Sequence, residues 1–207
     1  MRTTTPILLL VPVLALPLLC LSPAPATASP APREAGFWME FKLGAQLGFP
    51  GDSMLVSPSP GFVLGYRTGR FLLGAEVGGQ WMRSQYASPD PTYSQEVNAF
   101  TVKAMPVLQV DLVRVDRLRL YLTAAAGLSY TVYDLSGGTR YRDRGLGLVA
   151  DLGLGLRYFL TPRFAVGAEA AATGTYYRGE LLLNGDTGAT RSFGVGVRGA
   201  LTVALLL

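Results

Sequence analysis

Apolar residues alternate with polar or small ones along most of this chain. From Gly36 onward the repeat is two residues, not the 3.6 of a helix. Leu146, Leu148, Ala150, Leu152, Leu154 and Leu156 share one face, while Gly145, Gly147, Asp151, Gly153, Gly155 and Arg157 share the other. Successive side chains of a strand point to opposite faces, so such a run reads as a strand between two different environments. The rhythm recurs and predicts strands at 36–49, 61–67, 71–86, 97–114, 119–135, 145–160, 164–181 and 191–207.

The links between these runs alternate in length. Thr68-Gly69-Arg70, Val115-Asp116-Arg117-Leu118 and Thr161-Pro162-Arg163 are short enough for tight hairpins, whereas 50–60, 87–96, 136–144 and 182–190 are longer and polar. Pro106 interrupts the fourth run. Lacking an N–H, it forfeits a ladder hydrogen bond, and a bulge or local bend is expected there. Eight antiparallel strands joined in this way make an up-and-down meander, and closing it into a barrel removes both unpaired edges. The fold class is all-β. Alternation alone does not say which face is outside: a soluble carrier of an apolar ligand and a transmembrane β-barrel share it, turned inside out.

Three features favour lipid outside. Most runs exceed the roughly 5–6 residues of an average strand and suit the roughly 9–11 tilted residues that cross a bilayer. Aromatics lie toward the run ends (Trp38, Phe41, Phe49, Phe62, Tyr66, Phe71, Trp81, Tyr121, Tyr133, Tyr158, Phe159, Phe164, Tyr176, Tyr177 and Phe193), with Leu, Val and Ala between them. Girdles at two water–lipid boundaries have this arrangement. Finally, Glu40, Lys42, Glu76, Lys103, Asp111, Asp151, Arg157, Glu169 and Arg198 stand singly among glycines on the polar face. Acids and bases nearly cancel, as an enclosed lumen requires, because an unpaired buried charge costs on the order of several kcal/mol. The pairing expected first is Glu169 with Arg198 on adjoining strands, joined by Glu40 or Lys42 from the strand that closes against the last.

The start of the chain reads differently. Arg2 supplies a positive charge, Ile7 to Leu21 is apolar but broken by Pro12 and Pro17, and Ala26-Thr27-Ala28 offers a small-x-small cleavage site. This is the pattern of a secretory signal peptide over 1–28, followed by a flexible lead at 29–35 and a barrel over 36–207. Leu19 stands where a lipoprotein signal wants Gly, Ala or Ser, so lipidation of Cys20 is not expected. Cys20 is the one cysteine of the 207 residues, and its removal leaves a chain without thiols.

Composition narrows the chemistry. The sequence contains no histidine, which takes away His-assisted nucleophiles and His-ligated metal sites. Asp134, Asp143 and Asp186 fall at the loop end and suit turns better than a catalytic dyad, and no catalytic residue is assigned. Glycine pairs such as Gly145-x-Gly147 precede no helix, so no nucleotide cofactor is expected, and without Cys/His spacing or a Ca²⁺-loop pattern no metal is expected either. The net charge of +4 is mild and scattered, which gives no case for nucleic-acid binding.

With its leader, its eight amphipathic runs, its alternating turns and loops and its ending inside a strand, the chain resembles the small outer-membrane β-barrels of Gram-negative bacteria, the OmpA/OmpX-like type. The last run, Gly194 to Leu207 (GVGVRGALTVALLL), is similar to the terminal strand that such proteins offer to the barrel-assembly machinery, although Leu207 stands where the family usually carries Phe or Trp. The resemblance implies termini in the periplasm, longer loops outside, and a lumen filled by side chains instead of a wide pore. It implies a non-enzymatic structural or surface-interaction role, with a narrow ion path as the alternative. Arg83, Arg140, Arg142, Arg144, Arg178 and Arg191 gather at the loop end beside Tyr141, Tyr176 and Tyr177. They are a candidate rim for lipopolysaccharide phosphates, set against the plainer reading of a solvated, partly self-paired loop surface.

Overall fold

The computed structural model describes residues 31–48, 55–87, 94–136, 141–183 and 186–207. The expected signal segment 1–28, together with residue 140, lies outside the described residues. The strands are β1 (Ala35–Gly48), β2 (Leu55–Pro58), β3 (Gly61–Thr68), β4 (Phe71–Ala87), β5 (Ser94–Val115), β6 (Leu118–Ser136), β7 (Tyr141–Phe159), β8 (Phe164–Leu183) and β9 (Asp186–Leu206). β1 pairs antiparallel with both β2 and β3, from β3 to β9 each strand pairs antiparallel with the next, and β1 closes on β9.

β2 was not expected: it falls inside the long link 50–60. It continues the line of β3 along the same edge of β1, since Ala45 pairs with Pro58 and Lys42 with Gly61 in one register. Between the two segments the ladder lapses at Ser59-Pro60, where the proline has no N–H to give. The Ser59 N–H donates instead to the Gly44 carbonyl (2.7 Å). The nine strands therefore close as a ring of eight.

Following paired residues once round this ring leads from Ala35 through Thr68, Phe71, Val110, Leu122, Leu154, Ala170 and Gly199 back to β1 at Ala45. That stagger of about ten residues, at about 3.3 Å per residue against about 4.8 Å between strands, tilts the strands by roughly 40°. β5 is 22 residues long, or about 55 Å of height at that tilt, well beyond a hydrocarbon core. The excess lies at the loop end, where β5, β7, β8 and β9 all run further than their alternation indicated. Leu183 pairs with Asp186, so the pairing of β8 with β9 runs through most of the expected link 182–190.

Pro106 causes less disturbance than expected. Pairing of β5 with β6 lapses at Met105 and Pro106, but Ala104↔Leu128 and Val107↔Ala125 keep one register across the gap. Gly127 opposite allows a close approach, because a Cβ there would collide with the Ala104 carbonyl and Met105 Cα. The bulge lies lower, between Asp111 and Val113.

The two faces have opposite chemistry. Outside, Leu146, Leu148, Leu152, Leu154, Val195, Val197 and Leu201 are exposed; inside, all nine charges anticipated for the polar face are buried. A water-soluble barrel around an apolar cavity would show the reverse. The outward apolar band runs from Leu146 to Tyr158 on β7, Phe164 to Tyr176 on β8 and Phe193 to Leu205 on β9. About twelve steps at the tilt above make it about 30 Å tall, the thickness of a hydrocarbon core. Phe71, Tyr66 and Phe37 edge it at the turn end, and Trp81, Phe100, Tyr176 and Phe193 at the loop end, all exposed. Four aromatics expected in these girdles, Trp38, Tyr121, Phe159 and Tyr177, are instead buried inside. Each shares strand parity with inward charges or glycines, and parity overrides proximity to a strand end.

Candidate functional site

The lumen is layered along its axis. At the turn end Trp38, Val63, Leu72, Phe159 and Leu206 form an apolar plug. Trp38 meets Phe159 at 6.3 Å between ring centroids. Above them the Arg157 guanidinium is sandwiched between Trp38 (4.4 Å) and Tyr121 (4.3 Å), as a planar delocalised cation favours. Arg157 Nη2 donates to Glu40 Oε2 (2.6 Å) and to Gln109 Oε1 (2.9 Å), and Trp38 Nε1 donates to the same Glu40 oxygen (3.0 Å). The ring of Tyr121 fills space that a side chain on Gly155 would take.

At mid-height three bases meet three acids drawn from six strands. Lys42 on β1 donates to Glu76 Oε2 on β4 (2.9 Å) and to both oxygens of Glu169 on β8 (2.9 and 3.0 Å). Arg198 on β9 reaches Glu76 Oε1 (2.7 Å), Glu169 Oε1 (3.1 Å) and Asp151 Oδ2 on β7 (3.3 Å). Lys103 on β5 donates to Asp151 Oδ2 (2.8 Å) and lies 3.8 Å from Glu76 Oε1. Tyr121 completes the set with a hydrogen bond to Glu169 Oε2 (3.2 Å). Gly78 leaves room for the lysine stem, since a Cβ there would lie 3.0 Å from Lys103 Cε. In a low-dielectric lumen each charge is tolerated only because opposite charges surround it. Of the two partners expected for the Glu169–Arg198 pair, Lys42 joins it, whereas Glu40 pairs with Arg157 one layer lower.

Above the charges the lining turns neutral. Gln46, Gln80, Thr101, Ser129, Thr173 and Thr175, with Lys103 and Val149, surround a cavity of about 20 Å³, room for about one water. Thr101 and Thr131 hydroxyls share a hydrogen bond (2.9 Å), and Gln80 Nε2 donates to Ser57 Oγ (2.8 Å). Nearer the mouth Asp143 accepts from Tyr177 OH (2.7 Å) and Thr190 Oγ1 (2.8 Å). Asp143 thus serves the lumen, and the turn expected to hold it is part of β7.

Sequence reasoning missed a second charged group, at the turn end. Asp111 accepts from Arg67 Nη2 and, through the same oxygen, from Arg114 Nε (3.2 Å). Arg114 also meets Glu34 Oε1 (3.1 Å) and the Gly69 carbonyl. Period-two counting puts position 114 on the lipid face with 108 and 110. The bulge after Asp111 inserts one residue and turns Arg114 inward. Arg67 and Arg119 carried a usable signal, sharing parity with Gly65 and Tyr121.

On the outer rim, Arg144, Arg178 and Arg191 are exposed. Arg178 and Arg191 are direct cross-strand partners, one outward step beyond the Tyr176–Phe193 pair. Arg144 pairs in register with Glu180. Arg140 and the side chains of Arg83 and Arg142 lie outside the described residues.

The model of the outer membrane protein beta-barrel domain family matches residues 13–199. Among curated proteins none matches the chain in sequence. Neisserial surface protein A superposes with a TM-score of 0.53 at 17% identity, over 83% of this chain and 97% of that one. Outer membrane protein AlkL, solved in DMPC bilayers, gives 0.50 at 15% identity over 90% and 96%. OprG from Pseudomonas aeruginosa gives 0.49 at 12% identity over 85% and 98%. An apolar band of bilayer height wrapped round a polar lumen is what such a domain needs, and the chain belongs to the outer-membrane β-barrel family of Gram-negative bacteria.

Proposed function

We propose that the barrel is non-enzymatic and serves the outer membrane as a structural and surface-interaction protein whose lumen is plugged. The observation that carries this is the axial stacking of the plug, the Arg157 sandwich and the balanced mid-height cluster. An ion crossing the barrel would have to part several desolvated ion pairs and then displace packed aromatics. The missing histidine supports a non-catalytic role, since general-base chemistry in such a site usually relies on it. The short turns then face the periplasm and the tall strand ends face outward, and β9 is the segment presented to the barrel-assembly machinery during insertion. Purified barrel in planar bilayers is expected to give no steady conductance. A steady conductance abolished by Glu169→Gln would establish the narrow ion path instead.

Surface interaction is assigned to the outer rim. Two like charges directly opposite each other on a sheet repel, and Arg178 with Arg191 sits where a lipid phosphate bridges them bidentately, above an aromatic pair at the lipid boundary. Lipopolysaccharide retained through purification is expected to fall severalfold in Arg178→Ala combined with Arg191→Ala. Unchanged retention would remove the rim from the proposal.

A further inference from the structure

The charges of the turn end do not balance as those at mid-height do. Arg67, Arg114 and Arg119 surround one buried carboxylate, Asp111; the other nearby acid, Glu34, is mostly exposed and takes only one end of Arg114. Arg119 is 7% exposed, yet its guanidinium has no hydrogen bond or ion pair among the described residues, and its Nε is buried without a partner, as is that of Arg67. A cation–π contact with Phe159, 5.9 Å from the ring centroid, offsets part of the cost but satisfies no N–H. The three heads are gathered in one place. Arg67 and Arg119 lie over the same Phe159 ring, Arg67 and Arg114 share one oxygen of Asp111, and Arg114 and Arg119 are cross-strand partners. Arg70, Arg117 and Arg163 in the adjoining turns add the same sign, against Asp116.

We infer that this end of the barrel is a binding site for a phosphate oxyanion, held by Arg119 and Arg114 with Arg67 behind them. Guanidinium forks match tetrahedral oxyanions, and the negative charge of a phosphate offsets the surplus. The bulge after Asp111 is the structural device that builds the site, because it brings Arg114 off the lipid face. The site lies level with the lower aromatic girdle (Phe37, Tyr66, Phe71). Its phosphate therefore comes either from a phospholipid headgroup of the facing leaflet or from free phosphate in solution.

Trp38 reports on the site, since Arg67 lies 5.4 Å from its ring centroid. The chain has two tryptophans, so Trp81→Phe, on the outer face, isolates its emission. Folded barrel in uncharged detergent is titrated with inorganic phosphate. The expected result is a saturable change in Trp38 emission, weakened about tenfold or more by Arg119→Gln (about 1.4 kcal/mol) and left alone by Arg144→Gln at the opposite end of the barrel. A retained shift between boiled and unboiled gel mobility certifies folding of each variant, and Arg114→Gln replaces Arg119→Gln if that variant does not fold. A non-saturating response, or an equal midpoint in wild type and both site variants, overturns the inference. In phosphatidylcholine nanodiscs with and without phosphatidylglycerol, an emission already at its phosphate-saturated level in either identifies the headgroup phosphate as occupant. A phosphate titration that runs in both as it does in detergent identifies the free anion.

Discussion

Glu76 is the residue on which the mid-height cluster turns. Its two oxygens accept from Lys42 (2.9 Å) and Arg198 (2.7 Å), with Lys103 3.8 Å away. Among the described residues no other acid in the lumen meets three bases at once. Replacing it with Gln keeps the volume but strands a buried positive charge, which costs about 3–5 kcal/mol. Adding Arg198→Met removes the stranded charge and restores two bases against two acids. The expected outcome is that the double variant unfolds at a denaturant concentration closer to wild type than the single variant does, measured by equilibrium unfolding in lipid vesicles. A double variant weaker than wild type by the sum of the two single costs would show the two sites to be independent and the cluster not to be one unit.

At the scale of strands, the alternation was legible because lipid and lumen impose opposite demands on neighbouring residues. The nine charges named from parity alone are all buried. Residues were misread where another rule displaced parity. Trp38, Tyr121, Phe159 and Tyr177 sit near strand ends, as girdle residues do, yet point inward. β2 was hidden by Pro58 and Pro60, which read as loop although only the Ser59-Pro60 step leaves the ladder. Arg114 followed a bulge, which changes parity without any mark in composition. The tall strand ends were underestimated because strict alternation lapses there: Leu181-Leu182-Leu183 is an unbroken apolar run, and Asp186-Thr187-Gly188-Ala189-Thr190 reads as a polar loop. That height fixes an expectation for orientation. Ala189→Cys on β9, combined with Cys20→Ser so that it is the sole thiol, is expected to react with a bulky membrane-impermeant maleimide on intact cells. Arg163→Cys, in the turn between β7 and β8, is expected to react only after the outer membrane is permeabilised. The opposite pattern would place the turns outside.

For the whole molecule, register, burial and lipid thickness constrain one another. A stagger of about ten residues over eight wall strands sets a tilt of roughly 40°, and the tilt converts the uncharged outward runs on β7, β8 and β9 into a band about 30 Å tall. The band is therefore a depth scale, and its middle and edge are distinguishable by the cost of a charge. Leu152 lies at the centre of the β7 run and is 58% exposed, whereas Phe100 lies at the upper edge beside Trp81 and is 52% exposed. Similar exposure makes burial in protein a poor discriminator, so any difference between them reports the surrounding solvent. Leu152→Arg is expected to cost about 2–4 kcal/mol and Phe100→Arg about 0–1 kcal/mol, the depth dependence of arginine on a lipid-facing strand. Both are read as shifts in equilibrium unfolding of the barrel in vesicles. Equal costs would mean that the two positions meet the same medium, and the bilayer would then have to be placed elsewhere on the barrel.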